Sequence, residues 1–244
     1  MFYSFFANCL AVPSFLSIFV AAIPSKELPI ILHSSLFCMR LIFVIAYLFC
    51  IIPMFGQERL KRHEQFKSYV LCDGKPVEAI YRVEHPEDSS VQLGINQYLV
   101  PAIDSTLSGH IEVPATVKAP NGQEFWVCNV SRAAFANCRH ITGVSLPDSL
   151  YGIGDQSFLN CVSIRQLVLP PGVDRIWPHA FHGCERLQRV VLKGKVPPDA
   201  YNDIFDERTL NTATLVVPAA ADSAYRDAFV WNMFRYRSCD WDNE

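Results

Sequence analysis

Residues 134–150 (AFANCRHITGVSLPDSL), 157–173 (SFLNCVSIRQLVLPPGV) and 180–196 (AFHGCERLQRVVLKGKV) align without a gap at a step of 23 positions. Phe135, Phe158 and Phe181 form one column, and Cys138, Cys161 and Cys184 another. Ile141, Ile164 and Leu187 keep the phase, as do Val144, Leu167 and Val190, then Leu146, Leu169 and Leu192. Val130, Ile153 and Ile176 precede the copies at the same step, and Leu150, Val173 and Val196 close them. A small residue (Ala134, Ser157, Ala180) stands before each Phe, and Pro147 and Pro170 end the first two L-x-x-V-x-L runs. So many columns in register define a repeat array, a solenoid whose units bury their apolar faces only against their neighbours.

Within one copy, the L-x-x-V-x-L run alternates like a short strand with one face in the core. The chain then turns, returns through Leu150 and Ile153, and packs a Phe and a Cys behind that strand. Partial copies flank the array. Ile111, Val113 and Pro114 read as a strand end of the same kind. Asn121-Gly122, between Val117 and Phe125/Val127, reads as the turn of a β-hairpin. Leu210 and Leu215 continue the step beyond Leu187 and Leu192, while the Phe and Cys columns lapse, with Phe205 one residue late. Residues 219–234, with Tyr225, Phe229 and Phe234 at near-helical spacing behind Pro218, read as a short capping helix.

The pattern A/S-F-x-x-C-x-x-I/L-x-x-V-x-L-P-x-x-V/L-x-x-I resembles the bacterial BspA-like leucine-rich repeats. The leading I-x-V-P…N-G-x-x-F-x-V stretch resembles the way such domains often begin. Val217-Pro218, an Ala/Tyr-rich segment and Trp231-Asn232-x-Phe234 resemble the way they end. The resemblance covers about residues 109–234; Trp177-Pro178, where the preceding copy has Gly154-Asp155, departs from it. It implies a leucine-rich repeat solenoid, mostly β with irregular turns, with an N-terminal β cap and hairpin and a C-terminal helical cap. It also implies an exported or surface-exposed, non-enzymatic protein of adhesion type.

The first 56 residues hold only Lys26, Glu27 and Arg40 as charges. Met39-Arg40 followed by the apolar run 41–55, then Gly56 and the polar GluArgLeuLysArgHisGlu stretch after Gln57, has signal-peptide anatomy. The expected organisation is therefore an N-terminal extension at 1–38 preceding the true translation start, and a signal peptide at 39–56. A small β segment at 57–108, the solenoid at 109–218 and the helical cap at 219–244 follow. In the β segment, residues 69–72, 79–83, 91–93 and 98–100 read as strands, and 58–67 as a tether or short helix. The rival reading is a membrane-anchored structural protein held by residues 1–56. A lipid anchor on Cys50 is disfavoured by the bulky Phe49.

The whole chain has a net charge of −3, and the leader carries two basic residues and one acidic residue, so the remainder has −4. That balance gives no electrostatic footprint for nucleic acid. Six of the nine cysteines lie beyond the leader. Cys138, Cys161 and Cys184 share one phase, so they are expected as parallel buried thiols whose Cβ vectors do not converge into disulfides. Cys72, Cys128 and Cys239 lie off that column, and a bridge between two of them stays open. His140 and the His179-x-x-His182-x-Cys184 spacing fall in variable columns without a C-x-x-C partner, so no metal site and no cofactor is expected. No G-x-S-x-G, H-E-x-x-H or phosphate loop is present, and no catalytic residue is assigned.

Solenoids bind through the outward positions of their strand face. Those positions are Thr142, Gly143 and Ser145, then Arg165, Gln166 and Val168, then Gln188, Arg189 and Val191. Arg165, Gln166, Gln188 and Arg189 on neighbouring rungs form the expected ligand patch. Five rungs at ~4.8 Å by about five residues give a face of roughly 320 Å². A standard protein–protein interface takes about 800 Å² per partner, so weak or multivalent contact with a protein, or a small glycan, is expected. Trp126 and Trp177 lie off the strand columns, where packing or stacking on a sugar are both open.

Overall fold

The computed structural model describes residues 59–201 and 203–239. The expectations for 1–38, 39–56 and Cys50 lie outside the described residues, as does the end of the chain beyond Cys239. Among the described residues, no helix is long and apolar enough to cross a membrane.

The first strands form an antiparallel meander: β1 (Gln65–Cys72), β2 (Lys75–His85) and β3 (Ser90–Leu93). Cys72 pairs with Lys75, which leaves Asp73-Gly74 as a two-residue turn. Both turn residues have positive φ, 47° and 76°, the backbone whose twist matches the flanking strands. Two of the sequence expectations fail in this region. Residues 98–100 form a turn, with Leu99 at φ 53°, and the described residues 59–67 hold no helix, with β1 beginning at Gln65.

Beyond β3 the chain alternates between two parallel ladders. The front ladder holds β4 (Ser108–Glu112), β7 (His140–Ser145), β9 (Gln166–Leu169), β11 (Arg189–Leu192), β13 (Thr214–Val216) and β14 (Tyr236–Ser238). The back ladder holds β6 (Glu124–Val130), β8 (Gly152–Ile153), β10 (Arg175–Ile176) and β12 (Asp199–Ala200). β5 (Thr116–Lys118) pairs with β6 around a turn closed by the Gly122 N–H on the Ala119 carbonyl, which places Asn121-Gly122 in a hairpin. The meander joins the two ladders. β3 lies parallel to β6 at the back, and β1 lies antiparallel to β4 at the front. One curled ten-stranded sheet therefore runs from β12 through the meander to β7, and a second sheet holds β9, β11, β13 and β14.

The core between the ladders is built from the columns. Phe135, Phe158 and Phe181 stack at 4.9 Å and 5.3 Å between ring centroids, and each is buried. Phe205 stacks on Phe181 at 5.3 Å, so the aromatic column continues where the sequence spacing breaks. Behind the rings, Cys138, Cys161 and Cys184 are buried free thiols. The Cys161 thiol donates to the Phe135 carbonyl at 3.1 Å, and Cys184 to the Phe158 carbonyl at 3.4 Å. A small, weakly polar side chain suits this position, because it packs as a hydrophobe and also satisfies a backbone acceptor of the preceding rung.

The turns between back and front strands repeat as well. Ala133, Gln156 and His179 all have φ between 54° and 56°, and Asn137, Asn160 and Gly183 all have positive φ four residues on. These kinks leave backbone groups for the next rung: Phe135 N–H meets the Ser157 carbonyl at 2.7 Å, and Phe158 N–H the Ala180 carbonyl at 2.8 Å. Ala133 and Ala136 are buried, so the columns of His179 and His182 are not uniformly surface columns.

The C-terminal end departs from a single helix. Helix α1 (Glu207–Thr212) precedes β13, and helix α2 (Asp222–Asp227) follows a 3-10 turn at Ala219–Ala221. The chain leaves the helix at Ala228, which is extended, and Val230 takes φ 69° before a second 3-10 turn at Trp231–Met233. That break lets Trp231 and Phe234 turn onto Phe205, while Phe229 stays exposed.

Candidate functional site

The ladder of front strands is interrupted. β7 and β9 are consecutive rungs, yet β7 ends the first sheet and β9 begins the second. Where they part, the front face opens into a cleft of about 500 Å³. Thr142, Ser145 and Asp148 line it from the β7 side, and Arg165, Gln166 and Lys193 from the β9 side. Strand edges left unpaired in this way offer backbone donors and acceptors to an extended segment of another chain.

The four residues singled out in the sequence do not share this cleft. Arg165 and Gln166 line it and are exposed. Gln188 and Arg189 lie one rung on, where β11 pairs with β9, and outside the cleft lining. The Arg165 carbonyl accepts from the backbone N–H groups of both Gln188 and Arg189, at 2.8 Å and 3.2 Å, which fixes the spacing of the two rungs. Two of the outward positions are in fact covered: Val191 is 6% exposed, and Gly143 is buried.

His110 covers Gly143, and the sequence reading missed it. β4 pairs with β7 through a bulge that sets His110 opposite Gly143. A Cβ on Gly143 would stand 2.9 Å from His110 Nδ1, so only glycine accepts the imidazole in this position. His110 Nε2 lies 2.7 Å from Ser145 Oγ. The Asp73 carboxylate accepts from the backbone N–H of His110 at 2.8 Å, while the imidazole Nδ1 faces Gly143. The pair therefore lacks the oriented carboxylate that activates a serine–histidine nucleophile. Nothing in the 23-residue columns could have pointed to His110, because β4 precedes the aligned copies. Lys193 was legible, since it stands where earlier copies have Pro147 and Pro170.

The histidines at the other end are structural. His179 Nε2 meets Asp203 at 3.2 Å, and His182 Nδ1 meets Asp206 at 2.8 Å. The second Asp206 oxygen accepts from the Gly183 N–H at 2.7 Å, which ties the irregular last turn to the preceding rung. Among the described residues, no group of three His, Cys, Asp or Glu side chains is placed to hold a metal ion. Off the Cys column, Cys72 donates to the Ser108 carbonyl and Cys128 to the Val91 carbonyl, and no disulfide joins any of the six described cysteines.

A family profile described as a BspA type leucine rich repeat region matches residues 116–233 in six copies. Residues 116–233 are a BspA-type leucine-rich-repeat region. That assignment accounts for the parallel ladders and the stacked Phe and Cys columns, and repeat regions of this type serve as surface or binding scaffolds. Two solved structures are similar. A leucine-rich repeat protein from Bacteroides capillosus ATCC 29799 is 24% identical over 58% of this chain and 94% of its own, with a TM-score of 0.45. A leucine rich cell surface protein from Faecalibacterium prausnitzii A2-165 is 18% identical over 58% of this chain, with a TM-score of 0.40. This chain spans 35% of that second structure. No curated protein matches.

Proposed function

We propose that this protein is an exported, non-catalytic recognition module of adhesion type, which takes an extended, carboxylate-bearing segment of a protein partner in its front cleft. The observation that carries this reading is the break between β7 and β9, where a polar cleft coincides with unpaired strand edges. Arg165 and Lys193 outnumber Asp148 in its lining, so the cleft favours an acidic peptide. The cleft is small beside the ~800 Å² per partner of a standard interface, so single contacts are weak and adhesion rests on many copies. In this reading residues 39–56 direct export, β1–β3 close the first rung, and residues 219–239 close the last.

A random-peptide display selection on the full chain, with the Arg165→Ala variant as counter-selection, tests the proposal. Enrichment of acidic peptides that lose binding to the variant supports it. Enrichment that is equal on both proteins, or absent, refutes it.

A further inference from the structure

We propose that the back of the solenoid carries a second binding site, for a neutral saccharide, which is independent of the front cleft. Two rows of side chains point outward from the back ladder. Gln92, Asn129, Gly152 and Arg175 are aligned by the pairings of β3, β6, β8 and β10. Ser131, Gly154 and Trp177 follow two residues after Asn129, Gly152 and Arg175, just past the strand ends, and Tyr201 follows two after Asp199, the partner of Arg175. The middle rung thus reads Gly152-Ile153-Gly154, bare on its outer side, between rungs that carry amides on one flank and aromatic rings on the other.

Both glycines are required by their surroundings. A Cβ on Gly154 would stand 2.6 Å from the backbone nitrogen of Arg132, so this rung fits only with no side chain. A Cβ on Gly152 would meet the Asn129 amide oxygen first and would stand 3.0 Å from Trp177 Cζ3, so the amide and the indole close over the glycine from either side. The result is a cleft of about 480 Å³ with Gly154 in its lining, within the ~300–1,000 Å³ of small-ligand sites.

The chemistry of the walls selects the ligand. Gln92 is 7% exposed, yet its Nε2 has no hydrogen-bond partner among the described residues, and neither does Asn129 Oδ1. A buried donor and a buried acceptor side by side call for an occupant that can satisfy both. Neighbouring hydroxyls of a sugar donate and accept at once. On the facing wall, Trp177 and Tyr201 present ring surface, and Tyr201 is 52% exposed. Aromatic rings of this kind pack against the C–H face of a pyranose.

Charge argues against an anionic ligand. Arg132 is the one cation among the described residues that line the cleft, and it is committed to Asp155 through Nε at 2.8 Å. Its guanidinium also lies 5.9 Å from the centre of the Tyr98 ring. Glu84 adds a further carboxylate to the lining.

Saturation-transfer NMR on the full chain tests the site, with maltohexaose, cellohexaose, xylohexaose, mannohexaose and chitohexaose offered at ~5 mM, enough to populate a site of millimolar Kd. Transfer to at least one of these is expected, with at least a tenfold loss in Trp177→Ala and in Gln92→Leu and none in Arg165→Ala. Tyr201→Ala, which alters an exposed side chain, serves if Trp177→Ala fails to fold. Absence of transfer from every probe, or transfer unchanged in the back-face variants, overturns the proposal and leaves the amides hydrated by water. Transfer lost only in Arg165→Ala would also overturn it and would place the sugar in the front cleft.

Discussion

The rings of Phe181 and Phe205 stack 5.3 Å apart with 18° between their planes, although Phe205 comes one residue later than the repeat step places it. The extra residue enters before β12, whose Asp199 and Ala200 pair with Arg175 and Ile176 at a step of 24, so Phe205 falls back into register with the column. The aromatic column therefore runs unbroken from Phe135 to Phe205, where Phe234 meets it edge-on at 5.3 Å.

Phe158 stacks between Phe135 and Phe181, so its loss is felt on both sides. Phe158→Ala should lower stability by about 3–5 kcal/mol. Phe158→Asp should abolish the cooperative transition, because a buried carboxylate has no partner there. Urea denaturation followed by far-UV circular dichroism checks both, and a Phe158→Asp protein that still melts cooperatively would contradict the column's role.

The spacing between rungs should be equally intolerant on the back ladder. In Gly154→Ala the new methyl meets backbone of the preceding rung, which cannot rotate away as a side chain would. A loss of roughly 1–3 kcal/mol is expected from the forced shift. A melting temperature equal to that of the parent would show that the rungs have slack.

Buried thiols give a pH dependence with a definite sign. Burial raises Cys128 to about 11 and Cys138 and Cys184 to about 12, and it raises Cys161 as well. An unfolded thiol ionises near 9. Below that value both states hold the proton and stability is fully present. As pH rises from about 9 towards 12, only the unfolded state gains by ionising, so stability falls. The urea midpoint should therefore drop between about pH 8 and pH 10.5, and less so in Cys138→Ala/Cys184→Ala. A midpoint independent of pH over that window would mean the thiols are not held neutral by the fold.

How much of this was legible in the sequence follows from where side chains repeat. Phe, Cys and the strand leucines obey one step because each faces an identical neighbour, so their columns show in a single chain. The front cleft does not repeat. It arises where β7 and β9 part, and it depends on the bulge that brings His110 over Gly143. Arg165 and Gln166 were legible as outward positions, but nothing in the columns separates them from Gln188 and Arg189 one rung on. The C-terminal segment misled for a related reason: Tyr225 and Phe234 have helical spacing, yet the turn at Val230 carries Trp231 and Phe234 into the core.

Within the front patch the structure separates residues that the sequence grouped. Arg165→Ala should weaken binding of a selected acidic peptide at least tenfold, while Gln188→Ala should leave it within about twofold, with stability unchanged in both. Tenfold in affinity corresponds to about 1.4 kcal/mol, the scale of one charge-assisted hydrogen bond. Isothermal titration with the same peptide distinguishes them, and equal losses would return the site to the wider four-residue patch.

The most direct measurement is hydrogen–deuterium exchange of the full chain with and without a peptide selected on it. Protection confined to residues 142–148 and 165–170, on either side of the break in the front ladder, is the result expected. Protection that falls on other rungs, or none at all under saturating peptide, would contradict the front cleft as the place where this protein recognises its partner.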